Sequence, residues 1–313
     1  MATQVTSYSL GAKICRFLFG FNMAIAMSTA AGLIKLLYFV PGLSKGTRES
    51  ISLRIVQFVW RTVLFFCSPW IPIYRDGTAA RELHMFEACL GKFQETGKPV
   101  FVLGNHTSFL DTVLTVAQLP SHAIGLSRTY MSAALFDLPI LSSICKGCGH
   151  FPVYFTSTEV GKFTVDKEKM SEVGKLVDQH IKTNGLLCFY PEGQMNPDPT
   201  RILPLRYGGI NKALEFDACL FTFVTCGNHK VWPRKVQLGG YPANIGFSLK
   251  TVAPDGVRAL VKVLRSDKSK LSEFGCDESS PDHVLLAMYG QKIMQEQYDS
   301  LVTLTTGGKH KAD

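Results

Sequence analysis

The chain has 313 residues, enough to bury a full core as one large α/β domain with an appendage or as two modest domains, and its 46% hydrophobic content is ordinary for a globular protein. Its net charge of +8 is unevenly placed: up to Arg75 the basic residues Lys13, Arg16, Lys35, Lys45, Arg48, Arg54, Arg61 and Arg75 face Glu49 alone, which leaves about +1 for everything after. A basic balance confined to an apolar N-terminal segment points to an anionic membrane surface, and with no aromatic-interleaved basic patch elsewhere it excludes nucleic acid as a partner.

Phe17 to Ile34 carries no formal charge and is bracketed by Arg16 and Lys35. It is barely long enough to span a bilayer, so the expectation is either a spanning helix or a re-entrant or interfacial one. The first 48 residues lack acidic side chains, as a cleaved presequence would, but a chain that opens at Met1 is expected to keep them. Pro41 and Gly42 end the segment. From Ile51 to Phe66, Arg54, Gln57 and Arg61 form a polar stripe on an otherwise apolar helix. The stripe predicts a helix lying in the headgroup layer with Trp60 and Trp70 as anchors, the alternative being a core helix of the soluble part. Pro69 and Pro72 then separate a membrane-associated helical region, residues 1–72, from an α/β domain over 73–313.

In that domain, apolar residues at Leu83, Phe86, Leu90 and Phe93 predict an amphipathic helix from Thr78 to Gln94. Val100 to Leu103 is a wholly apolar run between a proline and a glycine, the mark of a strand buried on both faces. A helix starting at about Phe109, capped by Thr107 or Ser108, follows it. Ala123 to Gly125 and Phe151 to Phe155 read as short strands, Val165 to Ile181 as a helix stopped by Asn184-Gly185, and Leu186 to Tyr190 as another buried strand. Gly208 to Phe216 reads as a helix, Cys219 to Val224 as a strand, and Asp282 to Val302 as a last helix before a frayed GGKHKAD tail. Strands alternating with helices imply an α/β fold with a largely parallel sheet flanked by helices, preceded by the apolar N-terminal helices.

Nine cysteines are scattered through apolar runs, the pattern of buried thiols in a reducing compartment and not of a disulfide framework. Cys145 and Cys148 form a lone CxxC that no second pair completes into a zinc site, so no metal is expected.

In an open α/β sheet, function collects where strands end. Two polar loops sit at such places, Asn105-His106 and Pro191-Glu192-Gly193. On one continuous helix His106 and Asp111 would lie roughly 140° apart, so the histidine must occupy the turn while the aspartate reaches back from the first helical turn. One imidazole nitrogen is then held by a carboxylate while the other is free, which is the base-and-orienter half of a catalytic triad. No serine or cysteine nucleophile is required. Gly42-Leu43-Ser44-Lys45-Gly46 matches GxSxG but follows a membrane-like helix instead of a strand, so its context fails. Asn105-His106-Thr107 is also a glycosylation sequon, and a glycan there would block the base, so this face is not expected to meet a glycosylating lumen.

NHTSFLD followed roughly 80 residues later by FYPEGQ resembles the glycerolipid acyltransferase family, which includes the 1-acylglycerol-3-phosphate acyltransferases and other lysophospholipid acyltransferases. The likeness runs from about Ile73 to Tyr241. It implies that His106 is the general base, oriented by Asp111, and takes the proton of an acceptor hydroxyl as that oxygen attacks an acyl-CoA or acyl carrier protein thioester, with no cofactor. It further implies that Asn105, Ser108, Glu192 and Gly193 belong to the substrate site. Three blocks depart from the family pattern. Phe155 stands where the second block has arginine, Gln194 and Met195 where the third has threonine and arginine, and Ala218 where the fourth has proline. In the family those arginines grip the acceptor's phosphate, a charge-assisted contact that neither Phe nor Met can make. Arg128, Arg201 and Arg206 are the candidates to replace them.

The reading that follows is a membrane-bound O-acyltransferase acting on a lysophospholipid-type hydroxyl, with membrane lipids and an acyl thioester as partners. The alternative is a weakly active or inactive protein of the same fold that serves as a lipid-binding or structural subunit of a membrane complex. Either is expected on the reducing side of an endoplasmic reticulum or mitochondrial membrane.

Overall fold

The computed structural model describes residues 9–157 and 164–306; the GGKHKAD tail lies outside them. Five strands, β1 (Ile73–Arg75), β2 (Val100–Gly104), β3 (Leu186–Phe189), β4 (Cys219–Cys226) and β5 (Ile245–Ala253), form one sheet in the order β1-β5-β4-β2-β3. β2 runs parallel to both neighbours, with Val102 opposite Cys188 and Phe221, while β5 runs antiparallel to β4 and parallel to β1. The ends of β2, β3 and β4 therefore emerge on one side of the molecule.

Every residue of β2 is buried because both faces of the sheet are covered. Val100 and Val102 point into one core, and Phe101 and Leu103 into the other. The first core is closed by α1 (Leu10–Leu37), α2 (Lys45–Cys67), α3 (Ala79–Gly91), α4 (Leu110–Gln118) and α5 (Pro139–Gly147). The second is closed by α6 (Lys167–Asn184), α7 (Tyr207–Glu215), α9 (Val257–Arg265) and α10 (Asp282–Thr305), which supply Val177, Ile210, Val257 and Leu286. A single turn, α8 (Asn228–Val231), follows β4.

Two predicted strands take another form. Ala123 to Gly125 is a helical turn, Ser121–Ile124, because Pro120 accepts the amide of Ile124 at 2.9 Å and three apolar residues are too few to reach the sheet. Phe151 to Phe155 divides at Tyr154: Phe151–Val153 pairs with Tyr130–Ser132, and Phe155–Ser157 pairs with Thr164–Val165.

The two N-terminal helices do not form a separate body. Ile34, Leu53 and Trp60 share one continuous core with Leu114 and Phe221, so the boundary at residue 72 is one of composition and not of packing. By length and composition both helices could cross a membrane, with mean hydropathies of 1.7 and 1.4. α1 is apolar on two faces: Phe19, Met23, Ala26, Ala30 and Ile34 are buried, while Phe17, Phe21, Ile25 and Leu36 are exposed. The buried residues run from Phe19 to Ile34 on the helix, which packs on α2 and α5.

Two members of the polar stripe of α2, Gln57 and Arg61, reach the end of α4, while Arg54 is exposed. Gln57 Nε2 donates to the carbonyls of Val116 and Leu119 at 2.8 Å each, and Arg61 donates to Ala117 and Leu119 at 2.8 and 2.9 Å. These are orphan carbonyls at the C-terminus of α4, so Gln57 and Arg61 cap that helix. Trp60 is buried in the core, which removes it as a headgroup anchor, while Trp70 is half-buried and donates its indole N–H to the Gly240 carbonyl at 3.2 Å. Ser44, the centre of the GxSxG match, is the N-cap of α2, accepting from the Thr47 amide at 3.2 Å.

Candidate active site

β2 delivers the chain to Gly104, where a side chain would be impossible: a Cβ there would come within 2.7 Å of the Tyr190 ring. The Tyr190 ring in turn stacks under the His106 imidazole, with centroids 4.5 Å apart and planes 17° from parallel. His106 lies in the turn after β2 and Asp111 in the first turn of α4, as the spacing requires. His106 Nδ1 is 3.1 Å from Asp111 Oδ2, and the same oxygen accepts the amides of Thr107 at 2.5 Å and Ser108 at 2.8 Å. Asp111 is 1% exposed, so its carboxylate is held in one orientation by the turn it closes. His106 keeps 21% of its side-chain surface open, and among the described residues Nε2 has no hydrogen-bond partner. An imidazole fixed at Nδ1 and open at Nε2 has the geometry that general-base chemistry requires.

Glu192 holds the same histidine from the other side. It lies in the loop after β3 and is 1% exposed. Its Oε1 accepts the backbone amide of His106 at 2.8 Å, and its Oε2 accepts Asn196 Nδ2 at 2.7 Å and the Leu203 amide at 3.0 Å. The His106 carbonyl accepts the Asn196 amide at 2.6 Å, so both backbone polar groups of the histidine are tied to the second loop. Burial outweighs these three donors and lifts the Glu192 carboxyl to about 7. Both carboxylate oxygens of Glu192 are thus engaged within the fold, one of them on the turn that carries His106.

Asn105 and Ser108 are likewise turned inward. Asn105 Nδ2 donates to the Thr225 carbonyl and its Oδ1 accepts the Thr225 amide, both at 2.9 Å, which clamps the ends of β2 and β4 together. The sequon asparagine is therefore buried in the fold. Ser108 Oγ donates to the Trp232 carbonyl at 2.8 Å and accepts the Leu110 amide at 3.1 Å, starting α4 as a local cap.

Of the three candidate cations, Arg128 is taken: it is 3% exposed, pairs with Glu49 of α2 at 2.9 Å, and donates to the carbonyls of Gly125 and Ser127. Arg201 is exposed in the loop that Glu192 organises, its carbonyl accepting Asn196 Nδ2 at 2.5 Å. Arg206 is exposed and lies alongside Gly193, where a Cβ would come 2.9 Å from Arg206 Cγ; among the described residues it makes no ion pair. Gly193 itself adopts a φ of 70° in the turn beside Glu192.

Asn228, in the loop after β4, escaped the sequence reading. It is fully buried and donates Nδ2 to Asp111 Oδ1 and to Thr225 Oγ1. A signal for it exists: Gly-Asn-His follows β2 as residues 104–106 and recurs after the adjacent parallel strand as residues 227–229. Elsewhere, the CxxC thiols are buried, and Cys145 is raised to about 11 by that burial.

Residues 81–226 match the family model described as Acyltransferase, and that span contains both loops around His106. The chain is therefore similar, over just under half of its length, to the acyltransferase family. No curated protein sequence matches it. Among solved structures, the chain is similar to the crystal structure of the 1-acyl-sn-glycerophosphate (LPA) acyltransferase PlsC from Thermotoga maritima. That match has a TM-score of 0.59 and 12% identity, and covers 94% of this chain and 97% of the other. Coverage that wide takes in the N-terminal helices as well as the sheet, so the shared fold includes both.

Proposed function

We propose that this acyltransferase moves an acyl group from a thioester, acyl-CoA or acyl carrier protein, to the hydroxyl of a lysophospholipid-type acceptor, with His106 as general base. The observation that supports this best is the asymmetry of the imidazole, bound by Asp111 at Nδ1 and open at Nε2. The acceptor O–H gives its proton to Nε2 as the oxygen attacks the thioester carbonyl carbon. The C–S bond then breaks and the departing thiolate takes the proton back from the imidazolium. Asp111 favours the tautomer that leaves Nε2 free to accept, and its charge stabilises the imidazolium in between.

Arg206, beside Gly193 and without an ion-pair partner among the described residues, is the residue we assign to the acceptor's anionic headgroup in place of the missing family arginines. The exposed apolar face of α1 is the surface we assign to lipid. Because the opposite face is buried against protein along the helix, the helix would lie in one leaflet and not cross the bilayer. The test is acyl transfer by purified full-length protein with a panel of thioesters and lysolipids, beside His106→Ala. Turnover that depends on His106 supports the reading. Turnover that survives the substitution, or its absence from the wild type in every combination, overturns it.

A further inference from the structure

The two oxygens of the Asp111 carboxylate are treated differently. Oδ2 accepts from His106, Thr107 and Ser108, whereas Oδ1 accepts from Asn228 Nδ2 alone among the described residues. Asn228 is fully buried, and its own Oδ1 has no partner. Reversing the amide would set a carbonyl against the carboxylate, so the side chain leaves its acceptor unsatisfied to keep its donor on Asp111. The second amide hydrogen meets Thr225 Oγ1 at 2.7 Å, and Thr225 is the residue that Asn105 clamps. The placement is built by the backbone: Gly227 takes a φ of 84°, and a Cβ there would lie 2.1 Å from the Asn244 carbonyl.

We infer that Asn228 is a positioning residue for the acyl-transfer step. It fixes the rotation of the Asp111 carboxylate, so that Oδ2 stays on Nδ1, and it shares the carboxylate's negative charge, so that Asp111 does not bind the imidazolium too tightly to release the proton. The kinetic half of this inference rests on the acyltransferase reading given above; the structural half does not.

Asn228→Asp keeps the shape and removes the donor at neutral pH, and Asn228→Ala removes the side chain. Both are measured in the full-length protein for kcat, KM and pH profile, together with the proton NMR signal of His106 Nδ1–H in detergent micelles. The expected result is a kcat lower by about 10- to 100-fold at pH 8 with KM nearly unchanged. For Asn228→Asp, the ratio of variant to wild-type kcat should rise as the pH falls, because the introduced carboxyl regains a proton to donate to Asp111. A fold defect alone would not give that rise. The Nδ1–H signal should move in both variants whether or not turnover is detected. Wild-type-like kcat, a pH-independent ratio, or an unmoved Nδ1–H signal would each overturn the inference. A wild type without turnover, paired with a moved signal, would overturn the assigned reaction and leave the positioning role standing.

Discussion

The backbone amide of His106 donates to Glu192 Oε1 at 2.8 Å, joining two loops that are 86 residues apart in sequence. Through this bond the most buried carboxylate of the second loop sets the height of the imidazole above the ends of the strands. Replacing Glu192 by Ala leaves three donors, on His106, Asn196 and Leu203, without their acceptor. Removing an acceptor from buried donors costs about 1–3 kcal/mol per group. The expected outcome is a stability loss of roughly 3 kcal/mol by chemical denaturation, with acyl transfer reduced about 100-fold as the histidine shifts. An unaltered rate in the folded variant would show that the bond is not needed to place the base.

The same carboxyl makes stability depend on pH. Its folded value of about 7 lies above the ordinary 4.5, so between those limits the native state binds a proton that the unfolded chain does not. Its contribution to stability is complete below pH 4.5 and is lost as the pH rises through 7, a fall of about 3 kcal/mol. Glu192→Gln has no such titration. Relative to that variant, the wild type should therefore lose stability between pH 5 and pH 8 in guanidinium denaturation. A wild type that gains on the variant over this range contradicts the sign.

Gln57 and Arg61 are expected to matter to the fold. Each closes carbonyls at the end of α4, the helix that carries Asp111. Gln57→Ala and Arg61→Ala should each lower stability by about 1–3 kcal/mol while leaving binding to anionic vesicles unchanged. Loss of vesicle binding without loss of stability would return the stripe to the headgroup layer.

Arg128 and Arg206 should separate cleanly. Arg128→Ala strands the Glu49 carboxylate in a largely buried site and should cost about 3–5 kcal/mol of stability. Arg206→Ala removes an exposed charge and should leave the melting temperature nearly unchanged. For an acceptor with a phosphate headgroup its KM should rise about 10-fold, as expected for one lost charge-assisted bond. A KM that does not respond would exclude Arg206 from the headgroup site.

Much of this arrangement was legible in the chain. The apolar run from Val100 to Leu103, the glycine after it and the five-residue spacing of His106 and Asp111 were enough to place a strand, a turn and a reaching carboxylate, because each rests on local backbone geometry. Ile245, Phe247 and Leu249 alternate into one core, so β5 too carries a readable period, diluted by Gly246 and Ser248 between them. The stripe on α2 was not legible in the same way. A row of Arg and Gln on an apolar helix looks alike whether it meets phosphates or the carbonyls of another helix, and only the position of α4 decides. Glu192 and Asn105 are legible by their place in the motif, but not the inward hydrogen bonds they make, since sequence does not reveal which way a buried polar side chain faces.

Trp232 joins surfaces that are usually considered apart. Its ring packs edge-on against Phe19 of α1 and tilts against Phe109, while its carbonyl accepts the Ser108 hydroxyl in the turn that carries the base. Cutting away the first helix to obtain an easily handled water-soluble enzyme would therefore strip one side of the tryptophan that braces the turn. Purification strategies for this protein should keep the helix and supply it with detergent or lipid.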